Sequence, residues 1–199
     1  MSLSTDTTTT IRFADTRVPI LDHLAARWSP RSFDAEATVT DAQLDALLEA
    51  ARWSPSASNH QPRRFIVARR GTPAFESIVS ALVGFNATWA HRASALIVGI
   101  AETSTVDGDK RPYAEYDLGQ AVAHLSVQAE VEGLVTHQMA GVEWDTLVAA
   151  FDLTENLKPM TVTAVGSVDA AEKLPKALAE REVAPRTRLS LDEIVLLRS

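Results

Sequence analysis

The chain contains no cysteine among its 199 residues. That absence excludes a disulfide framework, a thiolate metal site and a cysteine nucleophile, and it fits a reducing compartment. Long apolar runs are also missing: the longest, residues 93–101, falls well short of the roughly 18 to 20 residues a membrane span needs and suits a buried strand. Excess positive charge is absent too. A net charge of -7 argues against general nucleic-acid binding, since phosphate backbones are held by broad basic surfaces. No G-x-S-x-G elbow, Walker loop or G-x-G-x-x-G fingerprint occurs. The histidines at 23, 60, 91, 124 and 137 lack the i, i+4 spacing of a helical metal pair, so each reads as a surface or hydrogen-bonded residue rather than a ligand.

What remains is a composition of 46% hydrophobic residues, long enough for one well-buried domain and unlike collagen, a coiled coil or a disordered polymer. Residues 1–16, with their run of four threonines, read as a flexible tail, and residues 17–199 as the single domain. The tail has no basic region followed by an apolar run, so it is not a secretory signal, and a cytoplasmic setting is expected. Asn86-Ala87-Thr88 has the form of a glycosylation sequon, a chance match in that setting.

Apolar spacing predicts a helix from Pro19 that ends near Arg27, where Ser29-Pro30 disfavours its continuation. Thr40 and Gln43 have the form of a capping box opening a second helix through Leu44, Leu47, Leu48 and Ala51. A loop follows at residues 53–59, then a strand over 64–68, a helix over 74–83, and a central strand over 95–101 with both faces covered. The longest helix is expected over 114–132 with Gly133 at its end, followed by a short helix over 147–151 and a strand over 161–166. Residues 174–189 read as a charged surface arm, and 192–197 as a last extended segment.

Inside this acidic chain, Arg27, Ser29 and Arg31 alternate along one short segment, and Arg186 and Arg188 form a second basic pair near the far end. Alternate residues of an extended segment point the same way, so the first group can converge on one small anion. The other reading of the segment is a solvated basic turn. Asp22, Asp34 and Asp117 are not separable from the many acidic residues of solvated helix faces and are left unassigned. A site without a catalytic acid, base or nucleophile is what a cofactor that carries the chemistry itself would leave.

Three motifs, Arg27-x-Ser29-x-Arg31-x-Phe33, the loop from Pro55 to Pro62 after an Ala-Ala-Arg helix end, and Arg186-x-Arg188, together resemble the FMN-dependent nitroreductase family in order and spacing. The resemblance covers residues 18–197. It implies an α+β fold, a mainly antiparallel central sheet surrounded by helices, with a C-terminal arm extending onto a partner subunit. It implies a homodimer holding non-covalent FMN at its interface, with NAD(P)H as donor and ping-pong hydride transfer through flavin N5 to an electron-poor small molecule such as a nitroaromatic or quinone. No nucleic acid and no membrane enter. An FMN-binding or sequestering protein without turnover, or another flavin-dependent dehydrogenase on the same scaffold, are the alternatives.

By the same resemblance Arg27 and Ser29 would hold the phosphate and ribityl end, Arg186 and Arg188 would close on the phosphate, and Arg31 would approach the pyrimidine edge. Pro55, Ser56, Ala57 and Asn59 would reach the flavin of the partner subunit. Asn86, Ala140 and Gly141 fall where the family contacts the ring or ribityl chain, although Asn86 and Gly141 also read as plain turn residues. Arg63, Gln138 and Val142 depart from the family's usual residues, which bears on the substrate pocket. Trp89 replaces a lysine that some relatives carry, and reads as core.

Overall fold

A computed structural model describes residues 12–199 of the chain. The first part of the expected tail, residues 1–11, lies outside the described residues. Four strands, β1 (Arg63–Arg69), β2 (Ala95–Glu102), β3 (Val135–Met139) and β4 (Leu157–Gly166), form one antiparallel sheet in the order β1-β2-β4-β3. Among the described residues, seven α-helices accompany them: α1 (Asp22–Ala26), α2 (Asp41–Arg52), α3 (Pro73–Ser80), α4 (Ala114–Val131), α5 (Trp144–Ala150), α6 (Lys176–Val183) and α7 (Leu191–Ile194). This is the α+β arrangement that the resemblance implied.

Strand periodicity divides the core. Along β2, Leu96, Val98 and Ile100 enter one cluster with Phe33, Phe75, Ile78 and Leu147, while Ala95 and Ile97 point the other way to Leu44, Leu47 and Leu125. The central strand is therefore covered on both faces, as its unbroken apolar run predicts. Thr40 and Gln43 form the expected reciprocal cap of α2. Gly133, at φ +70°, takes the left-handed turn that ends α4 and hands the chain to β3.

Three elements differ from expectation. Residues 174–189 are not a bare arm: α6 forms there and buries Leu178. Residues 192–197 do not begin extended, because Ser190 and Glu193 build a capping box that starts α7. Strand β3 is an addition, formed by the sequence Val-Thr-His-Gln-Met, which lacks an apolar alternation. Paired with β4, it forms one edge of the sheet, and its His137 reaches Pro30 in the arginine segment.

Candidate functional site

Helix α1 stops at Arg27, whose backbone N–H closes on the His23 carbonyl; residues 27–30 follow without regular structure, and the chain bends at Arg31. Arg27, Arg186 and Arg188 line one cavity of about 690 Å³, together with apolar walls from Val18, Ile20, Leu24 and Leu191. The two basic groups, some 160 positions apart in sequence, thus meet in space. The Arg27 Nη1 donates to the Ser29 hydroxyl at 3.3 Å. Arg186 is committed differently: its guanidinium donates to the carbonyls of Ala25 at 2.7 Å and Arg27 at 2.8 Å, and also to that of Arg12. It ties the C-terminal segment to the end of α1, where helix carbonyls are otherwise unsatisfied.

The electrostatics of this cluster favour an anion. Burial pushes the Arg27 guanidinium below its ordinary pKa, Glu130 opposes the shift, and the neighbouring Arg188 adds to it. Arg186 is lowered by burial and then by Arg27, Arg188 and Arg12, again against Glu130. Glu130 on α4 is raised, first by burial and against the pull of Arg27, His23 and Arg186; its Oε1 is buried without a hydrogen-bond partner. Neighbouring guanidinium groups that raise one another's energy gain most from a multivalent oxyanion such as a phosphate.

Two side chains that sequence reading did not single out fix the arginine segment. Glu182 on α6 is buried, and its Oε1 accepts the backbone N–H groups of Arg31 at 2.7 Å and Ser32 at 2.9 Å. The Arg31 guanidinium lies 3.8 Å from the other carboxylate oxygen. His137 on β3 places Nδ1 2.8 Å from the Pro30 carbonyl. Its ring packs on Trp89 at 4.6 Å, and Trp89 stacks on Phe33 at 5.8 Å, so Trp89 is core, as expected.

The loop at residues 55–59 sits elsewhere. Ser58, Asn59 and Gln61 all have positive φ, Ser56 Oγ accepts the Gln61 N–H at 3.0 Å, and the buried Asp117 carboxylate accepts the Ala57 N–H at 3.1 Å. Pro55, Ser56 and Ala57 line a small depression of about 210 Å³ with Tyr113, Tyr116 and Asp117. Asp117 belongs to the first turns of α4 and Glu130 to its last, 13 residues further on. At 1.5 Å per residue that is roughly 20 Å, so one chain does not bring this loop to its own arginine cluster.

Asn86 and Gly141 do meet. The Asn86 Nδ2 donates to the Gly141 carbonyl at 3.3 Å, and a Cβ on Gly141 would fall 2.8 Å from that nitrogen. Ala140 stands exposed between this pair and the end of β3. The three departures from family pattern have structural places: Arg63 is buried and donates to the Arg52 carbonyl, Gln138 donates to Ser126 Oγ at 3.1 Å, and Val142 is core. The first and last of these therefore fill the protein instead of shaping an open pocket.

Comparison with known proteins bears on the family and the fold. Residues 24–81 match the model of the nitroreductase family. An oxidoreductase containing FMN, of known crystal structure, is 32% identical, covers 95% of this chain and 96% of its own, and superposes with a TM-score of 0.87. An uncharacterized 15.4 kDa protein in the ask 5′ region of Mycolicibacterium smegmatis is 36% identical over 138 residues, 66% of this chain and 92% of its own length. A nitroreductase family protein from Clostridium difficile 630 shares the fold, with 24% identity, a TM-score of 0.67, and coverage of 87% of this chain and 94% of its own. The chain belongs to the nitroreductase family.

Proposed function

We propose that the protein is an FMN-dependent NAD(P)H oxidoreductase that passes a hydride to an electron-poor acceptor such as a quinone or nitroaromatic, and that it acts as a homodimer. The observation that carries this reading is the cavity shared by Arg27, Arg186 and Arg188, whose mutual repulsion suits a dianionic phosphate. FMN, when bound, supplies the hydride chemistry. The chain's own residues hold it: Arg27 and Arg188 at the phosphate, Ser29 beside them, Arg31 at the pyrimidine edge, and the backbone of Ala140 and Gly141 near the ring. Arg186 keeps the two basic segments together, and Asn86 holds Gly141 in place.

The 20 Å offset along α4 supports a composite site, in which Pro55, Ser56, Ala57 and Asn59 face the cofactor of a partner subunit. Exposed apolar side chains at both ends of the chain, among them Leu21, Leu24, Leu196 and Leu197, supply a surface that a partner would cover. The C-terminal segment beyond α7 is the part proposed to extend onto that partner. Donor and acceptor would take turns at the same flavin face, in ping-pong order.

The test is anaerobic addition of NADH or NADPH to the FMN-loaded protein, followed by a quinone. Loss of the oxidised flavin absorbance on the first addition and its return on the second are expected. Bound flavin that neither pyridine nucleotide reduces would favour an FMN-holding protein without turnover.

A further inference from the structure

We propose that Glu182 is a positioning residue, holding the Arg31 guanidinium at its place beside the cofactor and, through its own charge, lowering the potential at which bound flavin is reduced. The proposal rests on the FMN reading given above. Glu182 is 3% exposed and projects from α6 onto the end of the arginine segment. One oxygen collects two consecutive backbone N–H groups, from Arg31 and Ser32, at 2.7 and 2.9 Å. The other oxygen makes no hydrogen bond and faces the Arg31 guanidinium at 3.8 Å. The same helix end is tied back again, since the Glu182 and Ala184 carbonyls accept from Arg12.

A neutral amide oxygen could accept both backbone N–H groups without the cost of burying a charge. The carboxylate charge therefore finds its counterpart in Arg31, whose side chain is 28% exposed. A cation beside the pyrimidine edge favours the negatively charged reduced flavin, and an anion 3.8 Å from that cation cancels part of the effect. The cofactor would sense the pair and not a bare guanidinium.

Two substitutions separate position from charge. Glu182→Gln keeps an acceptor for the Arg31 and Ser32 N–H groups and removes the charge; Glu182→Ala removes both. In FMN-loaded protein equilibrated with a redox dye, E182Q is expected to raise the reduced-to-oxidised flavin ratio about tenfold, a positive shift of about 30 mV for a two-electron couple. Its FMN affinity, measured by quenching of flavin fluorescence, should stay within about threefold of the parent, whereas E182A should weaken FMN binding tenfold or more. FMN bound by E182Q at an unchanged or lower potential would overturn the charge role and with it the proposal. Parent protein that takes up no FMN would instead overturn the underlying reading.

Discussion

The His137 ring, on strand β3, meets the Pro30 carbonyl at 2.8 Å, in the middle of the segment that carries Arg27 and Arg31. A carbonyl only accepts, so Nδ1 carries the proton and donates it. The arginine segment is thereby hung from the edge of the sheet. Burial, the first cause, and the nearby Arg31 and Arg27 charges push the His137 pKa down to about 4, against the raising effect of the Pro30 and Ser29 backbone.

That depression makes stability depend on pH. The folded state holds His137 neutral while the unfolded chain protonates it near 6.5, so the unfolded state binds more protons between the two values. Stability should fall as pH drops from 6.5 toward 4, by roughly 3 kcal/mol from this residue. Glu130, raised in the folded state, takes up its proton there before the unfolded chain does and so opposes part of the loss. Urea unfolding at a series of pH values should show the slope, and His137→Gln should flatten it. An unchanged slope in the variant would assign the effect to other groups.

Asp117 anchors the loop at residues 55–59 through the Ala57 N–H, and its charge also supports the buried Arg63. Asp117→Ala should cost about 2 kcal/mol, the worth of a charged hydrogen bond, and lower the melting temperature by about 4 to 8 °C. Limited proteolysis should then cut near Ser58 and Asn59 faster than in the parent. Asp117→Asn, which keeps an acceptor, should lose less.

Gly141 and Asn86 are coupled at close range. Gly141→Ala places a methyl 2.8 Å from the Asn86 amide nitrogen and should displace it from the Gly141 carbonyl, at a cost of about 1 kcal/mol. In an Asn86→Ala background the same change should cost less, because the colliding group is gone. A double-mutant cycle by thermal or urea unfolding checks this, and additive losses would show that the two residues do not interact.

The fold was most legible where burial is two-sided or a cap is explicit. The apolar run at residues 95–101 could only be a covered strand, and Thr40 with Gln43 announced α2. Strand β3 was not legible, since one edge of Val-Thr-His-Gln-Met is unpaired and its residues alternate poorly. Helix α6 was masked by its charge, because Leu178 and Glu182 are its only buried residues. Residue type pointed to Arg27, Arg186 and Arg188, which line one cavity, but the alternate spacing of Arg27, Ser29 and Arg31 does not bring Arg31 into it, because Arg31 is held against Glu182. Glu182, Asp117 and His137 were not legible, because what distinguishes each from other acids or histidines is a backbone partner 60 to 151 positions away.

The most direct measurement is an FMN titration of flavin-free protein, followed by flavin fluorescence, for the parent and for Arg27→Ala and Arg188→Ala. The parent should bind one FMN per chain, with affinity falling as salt rises. Each variant should bind roughly 10- to 100-fold more weakly, the loss of one charge-assisted contact worth about 1.5 to 3 kcal/mol. A parent that binds no flavin, or variants that bind it as tightly as the parent, would contradict a phosphate held between Arg27 and Arg188.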